Sequence, residues 1–194
     1  MSFPLDFSSM ELINNTPTMV VKSLSGLEQR AQVGSQYFRF IGTLPPLSES
    51  ERRTLLGFIF SQRGSFSTFT LTLPDTLGDA STGYAGTVTN PTASVAATSV
   101  TASCSSNTAI LAAGDLFKFS NHNKVYVATA AATGVAGSVT ISFFPALRTA
   151  QTGSGSITVN NVEPTVRIET DDQTFSLGTD LFSGMSLEFV EVIN

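Results

Sequence analysis

The sequence predicts a mainly β protein in which one helix packs on a sheet and a small β-barrel-like module is inserted. Three observations predict this fold: many short segments alternate apolar and polar residues, one segment (about 48–63) has helical spacing, and the composition changes abruptly mid-chain. We expect residues 1–76 and 165–194 to form the core, because a late strand must return to close the sheet. Residues 77–164 would be the inserted module.

The predicted helix has clear start and stop signals. Pro45-Pro46 ends the preceding strand, and Ser48 with Glu51 forms a capping box. Gly64 is expected to supply the left-handed C-terminal cap. The helix should turn one stripe towards a core, made of Leu55, Phe58, Ile59 and Gln62.

β-branched and alternating segments predict the strands. The predicted strands are 18–22, 36–41, 66–73, 116–119, 124–128, 138–144, 157–159, 165–169, 174–177 and 185–192. In the last, Leu187 and Phe189 should point inwards, and Glu188 and Glu191 outwards. No charge lies between Asp79 and Asp115. This stretch could be a disordered linker, but its recurring Val and Thr residues favour short strands.

Charge limits the classes of partner. Charged residues make up 13% of the chain, against about 25% in an ordinary soluble domain, so much of the surface could face other subunits. The net charge is −5 and no Lys/Arg cluster is present, so direct nucleic-acid binding is not expected. The longest apolar stretches, such as 55–60, fall short of the ~20 residues that span a bilayer. No signal peptide is visible, which predicts synthesis in the cytoplasm.

Candidate catalytic and metal-binding residues are few. One cysteine (Cys104) and one histidine (His122) exclude an intramolecular disulfide, multi-cysteine zinc sites and HExxH. His122 could be a general base oriented by Asp115, with Cys104 or a serine as the nucleophile, but no flanking motif supports this. A turn residue is the favoured interpretation of His122. Glu169, Asp171 and Asp172 could bind calcium weakly, although an acidic turn is simpler. We therefore predict no catalytic, cofactor-binding or metal-binding residues.

Two groups of motifs together resemble a known family. The first is the basic-aromatic strand of residues 30–40 (RAQVGSQYFRF), the helix at 47–63 and the strand that begins GSFSTF at 64–69. The second is AGDLFKF at 113–119, KVYV at 124–127 and FPALR at 144–148. In this order they resemble tail proteins of tailed bacteriophages, of the distal-tail or baseplate type.

The resemblance implies a structural virion protein of a phage tail. Proteins of this type form a homomeric ring, here expected to be six-fold, that joins the tail tube to the distal tip, and they also contact other tail proteins. It implies synthesis in the host bacterial cytoplasm and location in the virion tail, with no catalytic residues, cofactor or membrane insertion. We expect assembly contacts at Arg52, Arg53 and Phe60 of the helix and on the uncharged insertion.

Other functions remain open from the sequence. The chain could be another phage connector, such as a tail terminator, head–tail adaptor or short-tail component. It could also be a carbohydrate-binding module for host attachment, although it has no Trp and its three Tyr are Tyr37, Tyr84 and Tyr126. An enzyme that depends on His122 is the least favoured alternative.

Overall fold

The computed structural model describes residues 1–172 and 185–193. The chain is mainly β, with 42% strand and 10% helix, and it contains both a sheet and a closed six-stranded β-barrel. The predicted fold class is therefore confirmed. The predicted strand 174–177 lies outside the described residues.

The described elements follow one another in this chain order: β1 (Ser9–Asn15), β2 (Thr18–Lys22), β3 (Glu28–Gln32), β4 (Tyr37–Thr43), α1 (Glu49–Gln62), β5 (Phe69–Thr70), α2 (Asp75–Gly78), β6 (Val88–Ala93), β7 (Ser99–Cys104), β8 (Ala109–Leu111), β9 (Leu116–Phe119), β10 (Val125–Ala128), β11 (Ala132–Thr133), β12 (Ser138–Phe144), β13 (Gln151–Thr152), β14 (Ser156–Thr158), β15 (Thr165–Ile168) and β16 (Ser186–Glu191). The strands β1, β3, β11 and β13 and the short helix α2 were not predicted from the sequence. The strands β6, β7 and β8 lie in the uncharged stretch, for which short strands were favoured without bounds.

The five-stranded sheet is antiparallel, in the order β1-β4-β16-β15-β5. It has one buried face, because residues alternate along each strand. Phe38 and Phe40 of β4 and Phe189 of β16 lie on that face and pack with Leu55 and Ile59 of α1. The late strand β16 lies between β4 and β15, so the C-terminal segment joins the two halves of the sheet.

Helix α1 begins as the sequence predicts. The Ser48 hydroxyl accepts from the Glu51 N–H at 3.4 Å, and the Glu51 carboxylate accepts from the Ser48 N–H at 2.8 Å. The cap at the other end is Arg63, with φ 56°, and not Gly64. Gly64 follows with φ 67°, so the left-handed turn starts one residue earlier than predicted.

The predicted strand 66–73 is much shorter in the structure. Its alternation is correct, since Phe69, Leu71 and Leu73 are buried, but only Phe69–Thr70 pairs as a strand. Before this pair, the Ser67 N–H still donates to Gln62 at the end of α1. After it, the next residue of the partner strand is Pro164, which has no N–H for the ladder. The strand pairing is therefore limited to Phe69–Thr70, by the end of α1 on one side and by Pro164 on the other.

The inserted residues build the barrel. Its closed order is β6-β14-β9-β10-β12-β7, with β7 pairing back to β6 and β13 added outside β6. Aromatic rings fill its interior, where Tyr126 contacts Phe117, Phe119 and Phe143 at centroid distances of 5.2 to 5.8 Å. The barrel therefore has its own hydrophobic cluster, distinct from the one under α1.

A buried ion pair joins the barrel to the sheet and corrects the expectation that Glu191 points outwards. The Lys124 Nζ lies 2.5 Å from the Glu191 carboxylate, and both side chains are 0% exposed. The same carboxylate accepts from the Val125 N–H at 2.8 Å and from the Phe38 N–H at 3.0 Å. Burial lowers the pKa of Lys124, and the charge of Glu191 opposes that shift. Glu191 thus satisfies groups from β4 and from the start of β10 at once.

The first prediction concerns this pair. Glu191→Leu should lower the free energy of unfolding by about 3–5 kcal/mol, because it leaves a buried ammonium and two backbone N–H groups without a partner. Lys124→Met should cost less, since Glu191 keeps both N–H donors. Urea unfolding followed by circular dichroism measures both. Glu49→Gln is the control, because its pair with Arg53 is exposed; an equally large loss there would contradict the prediction.

Candidate assembly surface

A hairpin extends beyond the end of the five-stranded sheet. We call residues 17–33 the arm; it comprises β2, β3 and the turn between them. The β1–β4 ladder ends at the Asn15–Tyr37 pair, and the arm resumes pairing at Thr18–Gln32. Between these two pairs, residues 16–17 of one strand lie opposite residues 33–36 of the other. This unequal number bends the hairpin at its base. All ten strand residues of the arm are exposed.

The arm has two chemically different faces, because residues paired across an antiparallel ladder share a face. One face is charged: Lys22 lies 3.0 Å from Glu28, which also binds Arg30 at 2.7 Å. The other face carries no charge. It consists of Pro17, Met19, Val21, Gln29, Ala31 and Val33. The arm is therefore amphipathic, and the strand residues of both faces are exposed.

Exposed apolar side chains concentrate on this arm. The described residues include eleven exposed large hydrophobic side chains, and six of them belong to the arm. The six are Met19, Val20, Val21, Leu24, Leu27 and Val33. Three of them, Met19, Val21 and Val33, share the uncharged face, and a cluster of exposed apolar side chains indicates an interaction site. At ~3.3 Å per residue, the eight residues from the base to the tip reach about 25 Å.

A second surface lies on the face of the sheet opposite α1. An open groove of about 620 Å³ runs across this face, from Tyr37 on β4 to Phe66, which follows α1. Val190, Val192 and Ile193 line its apolar part, and Arg167 and Glu169 line its polar part. Phe66 is 78% exposed, so the described residues leave that wall of the groove accessible.

Three acidic residues near this groove are bonded to other residues of the chain. Glu169 accepts from the Arg39 guanidinium at 2.8 and 2.5 Å, and Glu188 binds the same guanidinium at 3.1 Å. Asp171 accepts from the Ser65 N–H at 2.9 Å and from its hydroxyl at 2.6 Å, and these bonds lower the pKa of Asp171. Within residues 1–172 and 185–193, no three Asp, Glu, His or Cys side chains come together to hold a metal ion.

The structure does not bring the candidate catalytic residues together. His122 bonds Tyr126 at 2.9 Å and Asn121 at 2.6 Å. Asp115 instead accepts from the Ala112 and Ser81 N–H groups at 2.8 and 3.1 Å, so its carboxylate connects the segments around residues 81 and 112. Cys104 donates to the Ser106 carbonyl at 3.4 Å. Each residue has a local structural partner.

The tyrosines expected for a sugar-binding face are largely buried. Tyr84 is 5% exposed and Tyr126 is 0% exposed. Both hydroxyls are bonded inside the chain, Tyr84 to Ser105 and Tyr126 to His122. Sugar rings stack on exposed aromatic faces, so neither ring is available for this in the structure.

The helix residues expected at an assembly contact occupy the surface. Arg53 forms an exposed pair with Glu49 one turn away, and Phe60 is exposed. Assembly through this helix face and the uncharged insertion stays a prediction. The arm was missed as a surface because residues 18–22 were predicted as a strand without a partner. Its signal is nevertheless present: Ser25-Gly26 divides two five-residue segments, 18–22 and 28–32.

Comparison with known proteins extends this description. Residues 82–162 match the family model described as Distal tail protein pb9, B domain. The three barrel motifs at 113–119, 124–127 and 144–148 lie within the match, and the earlier motifs lie outside it. No curated protein matches the chain. The match confirms the resemblance to phage distal tail proteins, and it supports a structural role in a phage tail and contacts with other tail proteins. Among the described residues, no helix combines the length and apolar character needed to cross a bilayer.

The second prediction concerns pH. Burial, with smaller contributions from Lys118, Arg148 and Lys124, lowers the pKa of His122 to about 4, against about 6.5 in the unfolded chain. The unfolded state therefore binds the proton more readily, and stability should fall as pH drops from 6.5 towards 4. Urea unfolding at pH 7, 6 and 5 should show this loss, and His122→Gln should flatten it. Identical slopes for the two proteins would contradict this role of His122.

Proposed function

We propose that the chain is the subunit of a closed ring, expected to be six-fold, which joins the tail tube to the distal tip or baseplate of a phage. The family match supports the tail role, and the exposed amphipathic arm is the observation that carries self-association. Apolar surface on a free arm is costly in water, so contact with a neighbouring subunit would stabilise it. The chain would act in the virion tail by assembly and not by catalysis, after synthesis in the host cytoplasm.

The position of the arm supports a ring. Among the described residues, the arm is an exposed hairpin whose tip carries Leu24 and Leu27. A projection that binds a different surface on the next copy makes a head-to-tail contact, and such contacts close into rings when the rotation between copies permits. With a reach of about 25 Å, the arm is long enough to cross onto a neighbouring domain.

We also propose that the chain has two domains with different roles in assembly. Residues 1–76 with 165–194 would form the assembly domain, because they carry both the arm and the groove. Residues 77–164 would form an inserted domain whose weakly charged surface meets other tail proteins, since interfaces avoid unpaired buried charges. The separate hydrophobic cluster of the barrel supports this boundary.

Two alternatives make different demands on the surface. Another phage connector would use the same arm, and the number of subunits in the ring would distinguish it from a distal tail ring. A carbohydrate-binding module would need exposed aromatic rings, which the burial of Tyr84 and Tyr126 disfavours. Direct nucleic-acid binding is not part of the proposal, because Lys and Arg are few and dispersed.

The third prediction tests the arm through two adjacent valines. Val21 lies on the uncharged face and Val20 on the charged face, and they are 49% and 50% exposed. Val21→Asp should shift the mass measured by light scattering towards the monomer at every concentration, whereas Val20→Asp should assemble like the parent. Circular dichroism should show both variants folded. Equal assembly of all three proteins would refute self-association through the uncharged face.

The fourth prediction tests the helix face. Phe60→Asp should reduce the oligomer mass at high protein concentration if α1 lies in the same interface, because a carboxylate cannot be buried without a partner. Light scattering across a dilution series gives the result. An unchanged mass would exclude Phe60 from the assembly contact, while leaving the role of the arm to the valine variants.

A further inference from the structure

We propose that the groove bounded by Tyr37 and Phe66 receives the uncharged face of the arm of a second copy of this chain. This inference rests on the proposed self-association and adds the receptor for the arm. It concerns a defined pair of surfaces: Met19 and Val21 of one copy, and the open face of the sheet of the next.

The chemistry of the two surfaces matches. The groove offers the half-buried side chains of Val190, Val192 and Ile193, with the exposed ring of Phe66 at one wall. The inward face of a docked arm would carry Met19, Val21 and Ala31 and no charge. Glu169 in the groove is already paired with Arg39, and the Arg167 guanidinium donates to the Ile168 carbonyl at 3.2 Å. An uncharged face therefore does not need to supply a counter-ion to either group. The charged face, with Lys22, Glu28 and Arg30, would remain towards solvent.

The size of the groove suits a two-stranded ribbon. Its volume of about 620 Å³ falls within the range of about 300–1,000 Å³ typical of pockets that enclose a ligand. The groove is also open along the sheet and is not a closed cavity, so an element that enters from the side can lie in it. It can therefore hold several arm side chains while the ribbon backbone stays above the sheet.

Charge favours the same occupant. Residues 165–172, beside the groove, carry Arg167 against Glu169, Asp171 and Asp172, which is a net charge of −2. The arm carries Lys22 and Arg30 against Glu28, which is a net charge of +1. Opposite net charges on the two surfaces increase the rate of encounter and weaken like-with-like pairing, in a salt-dependent manner.

The arm does not fill its own groove. Every strand residue of the arm is exposed, and the ladder continues from β1 and β4 into β2 and β3 across a short bend. The arm is therefore held away from the sheet that carries the groove. A second copy supplies the same arm from outside, and because arm and groove differ, each contact leaves one arm and one groove for the next copy.

Mixing two defective variants tests this pairing. Val21→Asp places a charge on the uncharged face of the arm and leaves the groove intact. Thr68→Arg obstructs the exposed wall of the groove and leaves the arm intact. Each variant alone should be monomeric by light scattering. An equimolar mixture should form a dimer and nothing larger, because it contains one working arm and one working groove per pair. Thr72→Arg, at an exposed threonine on the same segment that does not line the groove, should assemble like the parent.

The outcomes separate the inference from the proposed function. If Thr68→Arg assembles like the parent while Val21→Asp does not, the arm binds elsewhere and the groove is not its receptor. If both variants are monomeric and their mixture remains monomeric, the two surfaces are not complementary and the inference fails. If the parent chain is monomeric at every concentration, self-association and the inference fail together. Phe66→Asp provides a second groove variant, and urea unfolding checks that every variant is folded.

Discussion

The structure depends on one buried ion pair. Lys124 and Glu191 lie where the barrel meets the sheet, with no exposure to water, and the carboxylate also satisfies N–H groups of Phe38 and Val125. Buried charges require such complete partnering, because water is no longer available to solvate them. The barrel and the sheet are therefore coupled at this point. The inserted residues are attached by more than their two chain connections.

This coupling gives the arm a stable base. The arm continues from β1 and β4, and the Phe38 N–H of β4 donates to the Glu191 carboxylate. The Lys124 ammonium also lies 4.3 Å from the centre of the Phe38 ring, so the cation packs on the same residue. A hairpin with exposed apolar groups binds a neighbour more tightly when its base is already rigid. The reason is that conformational entropy lost on binding opposes association.

The arm and the groove share one physical origin. Strands alternate their side chains between two faces, and α1 covers only one face of the five-stranded sheet. Within residues 1–172 and 185–193, the other face carries an open groove, and the hairpin that continues from the sheet is exposed on both of its faces. Surfaces left uncovered within one subunit are available to other subunits, which agrees with a structural role in a phage tail.

Local patterns in the sequence determined much of the fold. The capping box at Ser48 and Glu51, the alternation of 69, 71 and 73, and the hairpin strands of the barrel are set by neighbours a few residues apart, so they could be predicted. Tertiary structure decided the rest. Alternation from Leu187 and Phe189 places position 191 on the buried face, whereas the charge of a glutamate favours an outer position; Glu191 is buried because Lys124, 67 positions away, supplies a counter-charge. The exposure of the arm likewise depends on which elements cover it, and local sequence carries no information about distant contacts.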